Sequence, residues 1–411
     1  MHQDNLIPHL FRTEFSRITA VLGHQFGMAH IEAAEDIASE AFVSALETWP
    51  HRGIPDNPRA WLYAVAKNKA RNYYQRRHHF TEKIRPQLKE PSVEELDLDL
   101  SEDNISDSVL KMMFAICHPI LPPEAQISLS LRILCGFGID EIANALLAKK
   151  ETINKRLFRA KEKLRTENVL IEFPETAAIE NRLAAVMKTL YLLFNEGYYS
   201  ESHDELIRED LCLEAMRLTH LLMEHPKTGR PEVKALMALM CFHASRFAAR
   251  KNDKGEIILY QDQDESLWDQ ELIARGANYL QQAAQGNHLS QYHLEAGIAW
   301  WHTIKADTPE KWENILQLYN RLLQIAYSPI AALNRTYALA KANGRYEAIR
   351  EAEKLQLTDN LYYYMLLGDL YRGINNDRAR QYLEKAFDIA KTVSEQQLIK
   401  RRILELSGGL E

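Results

Sequence analysis

The chain has 411 residues, of which 46% are hydrophobic and 26% charged, and its formal net charge is −7. This length is too great for one compact core and predicts two to four domains, while the composition is that of a soluble globular protein. No apolar run approaches the length that spans a bilayer, and the N-terminus lacks the features of a signal peptide, so we expect a cytoplasmic protein with no membrane partner. Four scattered cysteines favour reduced thiols over disulfides or a zinc site: Cys117, Cys135, Cys212 and Cys241.

Nearly every segment predicts helix, beginning with residues 31–47. Their apolar positions share one helical face: Ala34, Ile37, Ala38, Ala41 and Ala45. Trp49-Pro50 is expected to end this helix, and Pro58 to begin the next. The second helix mixes aromatic and basic side chains, a combination that suits single-stranded DNA, since bases stack on rings and phosphates meet cations. The alternative is that its rings lie in the core, which we favour for Trp61.

Charge is distributed in blocks along the first 165 residues. Between Arg59 and Lys89 nine basic residues face one acid, Glu82. From Glu90 to Asp107 there are eight acids and no Lys or Arg, and from Lys149 to Arg165 eight basic residues face two acids. DNA binding depends on such local patches more than on net charge. Two basic modules joined by an acidic, flexible linker are therefore predicted.

The segment from Ile139 to Arg165 is a helix-turn-helix candidate. Its second helix has an apolar stripe, formed by Ile153, Leu157, Ala160 and Leu164. Thr152, Asn154, Lys155 and Arg159 lie away from that stripe, where Arg and Lys can bind guanine edges or phosphates and Asn can bind adenine. The alternative is a solvated basic helix in a bundle.

After Pro174 the sequence predicts a long helical array. Aligning Ala348 with Ala379 gives a repeat of about 31 residues, close to the period of tetratricopeptide repeats. Two segments, LFNEGYYSES and YQDQDESLWD, embed aromatics among acids, which suits either a ligand or peptide groove or buried rings beside capped helix ends. The acids near Asp262 lack a recognisable set of converging ligands, so we expect no metal, no cofactor and no enzymatic activity.

Three segments resemble a known family. AEDIASEAFVSALETW resembles the polymerase-binding helix of region 2 of sigma factors, NPRAWLYAVAKNKARNYYQRR the helix that follows it, and GIDEIANALLAKKETINKRLFRAKEKLR sigma region 4. Their order is that of the extracytoplasmic-function sigma factors of the sigma-70 family. LYLLFNEGYYSES and YQDQDESLWDQELIARG resemble the extension of a subgroup with a tetratricopeptide-like C-terminal domain. The resemblance implies a non-enzymatic subunit that directs RNA polymerase to promoters.

The resemblance also implies roles for individual residues. Core polymerase, through its beta and beta-prime subunits, would meet Asp36, Glu40, Phe42 and Trp49. The minus-ten promoter element would meet Arg59, Trp61, Lys67, Asn68, Arg71 and Arg76. The minus-thirty-five element would meet Lys149, Lys150, Thr152, Asn154, Lys155 and Arg159.

The expected fold is all-α, with two small helical sigma domains, a linker and a helical extension. The expected bounds are 1–88 for region 2, 89–108 for the acidic linker, 109–168 for region 4, 169–327 for the extension and 328–411 for tetratricopeptide-like hairpins. The partners are core polymerase, promoter DNA and a possible peptide or protein partner of the extension, which we expect to regulate the sigma portion in cis. The alternative is a repeat adaptor or ordinary helix-turn-helix regulator that does not bind core polymerase.

Overall fold

A computed structural model describes residues 6–84, 98–146, 148–198, 208–250, 258, 260–286, 288–390 and 392–407. All regular structure in these residues is helical, which confirms the all-α prediction. None of the helices within this part of the chain is long and apolar enough to cross a membrane. The chain forms two compact units, Met1–Gly197 with Leu213–Leu222, and Tyr198–Cys212 with Met223–Glu411.

The first unit opens with three long helices, α1 (Leu6–Phe26), α2 (Ile31–Arg52) and α3 (Pro58–Ile84). The predicted apolar face of α2 is buried throughout. Helix α2 continues past Pro50, which lies in its last turn, and ends at Gly53. Gly53 has a φ of 83° and its N–H donates to the Trp49 carbonyl at 3.0 Å. Such a left-handed φ is natural for glycine, so the helix ends later than the proline predicts.

Helix α4 (Glu102–Ile116) begins inside the segment 89–108 that the sequence predicts as a linker. The Ser101 hydroxyl accepts a hydrogen bond from the Asn104 N–H, and Glu102 and Asp103 occupy the first turn. Carboxylates there are favoured by the helix dipole. The linker prediction therefore fails for residues 102–108, because acids that resemble a tether in sequence also suit a helix start. Residues 89–97 lie outside the described residues.

Four more helical segments form the module that contains the helix-turn-helix: α5 (Pro123–Leu129), a π-helical turn (Ser130–Leu134), α6 (Ile139–Ala145) and α7 (Lys150–Thr166). Helix α7 packs on α5 and α6 through its predicted apolar stripe, all of which is buried. The predicted pair of helices, one short and one longer, is thus present at Ile139–Ala145 and Lys150–Thr166.

The first unit also includes chain beyond residue 174, from α8 (Ile179–Tyr198) and α9 (Glu209–Glu224). Arg182 Nη2 donates to the Phe114 carbonyl at 2.5 Å, and Thr189 Oγ1 donates to Gln126 Oε1 at 2.8 Å. Arg217 on α9 donates to the Leu134 carbonyl at 2.8 Å. The start of the extension is therefore built into the same unit as the helix-turn-helix.

The second unit contains nine described helices: α10 (Pro231–Ala244), α11 (Gln270–Ala283), α12 (Gln291–Trp301), α13 (Pro309–Ile325), α14 (Pro329–Asn343), α15 (Arg345–Leu355), α16 (Leu361–Tyr371), α17 (Asn376–Ile389) and α18 (Val393–Ser407). Consecutive helices pack as pairs around an apolar cluster that runs from α12 to α17. Ala348 on α15 and Ala379 on α17 are both fully buried, so the 31-residue repeat places equivalent alanines at helix contacts.

Candidate nucleic-acid interface

The outer face of α7, opposite its buried stripe, and the residues at its start expose all six side chains that the sequence assigns to duplex DNA. Each is exposed: Lys149, Lys150, Thr152, Asn154, Lys155 and Arg159. Lys150 pairs with Asp140 at 2.8 Å across the turn between α6 and α7. Lys155 and Arg159 form no ion pair with any residue that the structure describes, so both cations are available to phosphates or base edges.

Phe158 lies on this same outer face and is 68% exposed, although the sequence had not singled it out. At 100° per residue it is next to Lys155 and Asn154 and opposite the buried stripe. A large apolar ring in water is unusual in a helix whose other side supplies the packing. Phenylalanine can contact the methyl group of thymine in the major groove. Phe158 could have been found from the sequence, because it is an apolar residue that lies outside the i, i+3, i+4 stripe of α7.

Other cations of α7 point towards the protein. Lys161 Nζ donates to Glu35 of α2, and Arg165 pairs with Glu32 at 2.7 Å. Arg132, on the π-helical turn, pairs with the other oxygen of Glu35 at 2.9 Å. The Glu35 side chain is only 5% exposed. We call Glu32, Glu35, Arg132, Lys161 and Arg165 the Glu35 network, which joins α2 to the helix-turn-helix module.

The six residues assigned to single-stranded DNA fall into two groups on α3. Asn68, Arg71 and Arg76 are exposed. Lys67 is half-buried and donates to the Leu98 carbonyl at 3.3 Å, and the half-buried Trp61 ring packs edge-on against Trp49 at 5.5 Å.

Arg59, the sixth residue of that set, is held by carboxylates from two helices. It pairs with Glu14 of α1 at 2.9 Å and with Glu102 of α4 at 2.8 Å. Glu14 is buried and also accepts a hydrogen bond from Tyr63 at 2.5 Å, while Arg17 pairs with Glu102. Burial and the carboxylate of Glu14 raise the pKa of the Tyr63 hydroxyl well above its ordinary value, so the phenol remains the donor. These five residues, the Glu14 network, fix α3 against α1 and the start of α4.

The residues assigned to core polymerase also divide by burial. Asp36 and Glu40 are exposed on α2, and Glu40 pairs with Lys69 at 2.9 Å. Partial desolvation raises the pKa of Asp36 above its ordinary value, and the charges of Glu35 and Glu40 add to the effect. Phe42 and Trp49 are buried, and the Phe42 ring meets Phe11 edge-on at 5.0 Å. The two aromatics thus support α2 from inside.

The acids near Asp262 serve helix ends. Asp264 accepts a hydrogen bond from the Ser266 N–H at 2.9 Å, and Asp269 accepts one from the Leu272 N–H at 2.9 Å at the start of α11. Across the described ranges no group of three or more His, Cys, Asp or Glu could hold a metal ion. These two acids thus have structural partners at the positions that capping residues occupy.

Helix α7 buries its apolar stripe and presents polar and basic side chains on its opposite face. Another basic helical module, which contains α3, precedes it in the chain. This arrangement defines a DNA-binding transcription protein with two modules. Family models agree with both: residues 10–80 match sigma-70 region 2, and residues 116–164 match sigma-70 region 4. Residues 182–284 match a family of unknown function, DUF6596.

An uncharacterised protein of Rhizobium meliloti (strain 1021) is 33% identical to the chain over 397 residues, covering 92% of the chain and 91% of the relative. No solved structure matches the chain. The chain belongs to the sigma-70 family as an extracytoplasmic-function RNA polymerase sigma factor with a C-terminal extension. Core RNA polymerase and promoter DNA are accordingly its partners, and sigma factor families are not enzymes. The region 2 match favours this assignment over an ordinary helix-turn-helix regulator.

Proposed function

We propose that the outer face of α7 binds the minus-thirty-five element as duplex DNA and that the exposed part of α3 binds the unpaired minus-ten strand. The observation that carries the first assignment is the availability of Lys155 and Arg159 beside the exposed Phe158. For α3 the support is the exposure of Asn68 and Arg71. Arg59 and Trp61 would act by positioning α3, because the Glu14 network and Trp49 hold them.

On core polymerase, we propose that its beta and beta-prime subunits meet the exposed acids Asp36 and Glu40. Carboxylates one helical turn apart suit a basic partner surface. Phe42 and Trp49 would contribute by packing α2 from beneath. Because core polymerase and the chromosome share the bacterial cytoplasm, we place the protein's action there.

We further propose that region 2 and region 4 separate before promoter binding. Two promoter elements centred about 25 base pairs apart lie roughly 85 Å apart along duplex DNA at 3.4 Å per base pair. The Glu35 network instead holds α7 against α2 by direct ion pairs. Helices of about 25 to 40 Å in length cannot bridge that distance while they touch. This closed arrangement would have to open on polymerase.

The extension is proposed to control this opening in cis. Its support is the packing of α8 and α9 on the region 4 module through Arg182, Thr189 and Arg217. The bounds 169–327 and 328–411 for its two parts remain part of this proposal. A peptide or protein partner would bind the hairpins, which expose Tyr327, Tyr346 and Tyr362, since tyrosine is enriched at interfaces.

Transcription reconstituted with core polymerase tests the DNA assignment. Lys155→Ala with Arg159→Ala should abolish transcripts from the protein's own promoters while leaving core binding intact. Arg350→Ala is the control, because Arg350 is an exposed cation on α15, far along the chain from α7. If the double variant transcribes like the wild type, or if Arg350→Ala is equally damaging, α7 does not bind DNA as proposed.

A further inference from the structure

A group of buried cations and aromatic rings surrounds Tyr260 in the second unit. We call its members the Tyr260 cluster: Tyr198, Arg246, Tyr260, Trp268, His302 and Lys311. The Tyr260 ring lies 5.1 Å from the His302 ring and 6.1 Å from the Trp268 ring. It lies 5.5 Å from the Arg246 guanidinium carbon and 5.2 Å from Lys311 Nζ. Side chains from distant parts of the chain therefore meet at one ring.

The backbone places Trp268 beside Arg246. Arg246 follows the end of α10, where the Ser245 carbonyl accepts a hydrogen bond from the Asp269 N–H at 2.8 Å. Trp268, which precedes Asp269, is thereby held next to the residue that follows Ser245. Lys311 enters from the first turn of α13, and His302 follows the end of α12.

Two cations are buried here without carboxylate partners. Lys311 is 1% exposed and donates to Tyr260 Oη at 3.0 Å and to the Ile304 carbonyl. Arg246 is 7% exposed and donates to Tyr198 Oη at 3.3 Å. Neither has a carboxylate within 4 Å in the described residues, and the nearby Asp307 accepts from Trp312 and Lys341. Buried charges are normally paired, so negative charge is missing from this cluster.

Two buried donors also lack acceptors. Arg246 Nε and Trp268 Nε1 make no hydrogen bond, and Trp268 is 4% exposed. Gln263 Oε1, an acceptor on the segment between Tyr260 and Trp268, is likewise unpaired. A buried donor without an acceptor is costly, and native proteins contain few of them. One of these donors belongs to the Arg246 cation and the other to Trp268, so together they indicate an acceptor that carries negative charge.

The histidines in and beside the cluster respond to the same positive charge. Burial lowers the pKa of His302 to about 3, and the charges of Arg246 and Lys311 act in the same direction. Burial also lowers the pKa of His243 well below its ordinary value, with Arg246 and Arg250 contributing. Both imidazoles therefore stay neutral at pH 7, and neither adds to the charge that an anion would meet.

We propose that the Tyr260 cluster binds a small oxyanion, the phosphate or carboxylate group of a small molecule, through Arg246 Nε and Trp268 Nε1. Lys311 supplies further positive charge, and Gln263 Oε1 accepts from a hydroxyl group of the ligand, as hydrogen phosphate or a hydroxy acid carries. The site lies wholly in the extension and does not depend on how α3 or α7 binds DNA. It gives the extension a small-molecule ligand.

Titration of the full-length protein with inorganic phosphate and, separately, with lactate tests this site. The readout is the thermal unfolding midpoint, with intrinsic tryptophan fluorescence as a second signal, at constant ionic strength against chloride. Saturable stabilisation by one of the two anions is expected, and the one that binds more tightly distinguishes phosphate from carboxylate ligands. The absence of saturable binding by both would overturn the proposal.

Variants separate this site from the basic DNA-binding helices, which can also hold phosphate. Arg246→Gln and Trp268→Phe should each weaken binding at least tenfold, whereas Arg321→Gln, on the exposed side of α13, should not. Arg246→Lys keeps the charge and serves if the glutamine variant fails to fold. If Arg246→Lys and Trp268→Phe both bind like the wild type, or Arg321→Gln weakens binding equally, the site is elsewhere and the proposal is wrong.

Discussion

Phe158 exposes its ring in the middle of the basic face of α7, beside side chains proposed to bind phosphates and base edges. Its ring offers no hydrogen bond, so on DNA it would contribute through apolar contact alone. The thymine methyl group is the apolar feature that the major groove presents. Phe158 would thus add a preference for thymine at one position of the minus-thirty-five element.

Removing one thymine methyl group tests this preference. Replacing the contacted thymine with deoxyuridine should weaken wild-type binding by about 0.8 kcal/mol, roughly fourfold in Kd. The Phe158→Ala variant should bind both DNAs equally, as measured by fluorescence anisotropy of the holoenzyme on labelled promoter DNA.

Leu170→Ala provides the control, because Leu170 is exposed and apolar but lies beyond α7. It should retain the wild-type response to deoxyuridine. A Phe158→Ala variant that still distinguishes the two DNAs would assign the methyl contact to another residue.

His302 makes the stability of the second unit depend on pH. Its folded-state pKa of about 3 lies below the ordinary value near 6.5. Between these values the unfolded chain binds a proton that the folded chain does not, so stability falls as pH falls from 6.5 towards 3. The loss is at most about 1.4 kcal/mol per pH unit. Urea unfolding at pH 7, 6 and 5 should show a shallower loss for His302→Gln; an equal slope would contradict the assignment.

At the scale of helices, the Glu35 network ties α2 to α7 by buried ion pairs. Glu35 is buried between two cations, Arg132 and Lys161. Without the Glu35 charge, these cations are buried and unpaired as long as the helices touch, but they are hydrated once the helices separate. Removing one partner of a buried ion pair costs about 3 to 5 kcal/mol of stability. That cost falls on the closed arrangement and shifts the population towards an open one.

The Glu35→Gln variant should therefore have a larger radius of gyration by small-angle X-ray scattering than the wild type. Glu162→Gln is the matched control, because Glu162 also pairs with a cation of this network, Arg165, but at the surface, where ion pairs contribute about 0 to 1 kcal/mol. Adding Lys161→Met to Glu35→Gln should show coupling in the unfolding free energy. Identical scattering for Glu35→Gln and Glu162→Gln would mean that the network does not hold the helices.

At the scale of the whole molecule, the sigma modules and the start of the extension are not separable at residue 176. Helix α8 buries Leu183, Val186 and Leu190 in the first unit. Exposing side chains of this size costs roughly 1.5 to 3 kcal/mol each. A chain that ends before α8 thus exposes core.

Truncation after Thr176 should lower the unfolding midpoint of the remaining chain and promote aggregation. Truncation after Glu224, which keeps α8, α9 and the Arg217 hydrogen bond, should preserve cooperative unfolding. Calorimetry distinguishes the two, and equal midpoints would show that α8 does not stabilise the first unit. The longer form is the one suited to testing cis regulation in transcription assays.

Local patterns in the sequence were sufficient to predict several features of the structure. The stripe from Ile153 to Leu164 predicted the orientation of α7, because helix periodicity fixes which side chains share a face. The same argument predicted the buried face of α2 and the polar face proposed to bind DNA. The resemblance of three segments to sigma regions 2 and 4 indicated the sigma family, which the family matches confirm.

Features that depend on contacts between distant residues could not be predicted from local patterns in the sequence. Glu35 looks like any other acid on α2, and only packing places it between Arg132 and Lys161, which are 97 and 126 positions away in the chain. Phe42 and Trp49 are predicted to lie on or beside the core-binding surface, and only tertiary packing shows that both side chains are buried beneath it. The Tyr260 cluster likewise joins parts of the chain more than 100 residues apart. Sequence periodicity determines which residues share one face of a helix. The tertiary fold alone decides which charged groups are buried away from water and which partners they contact there.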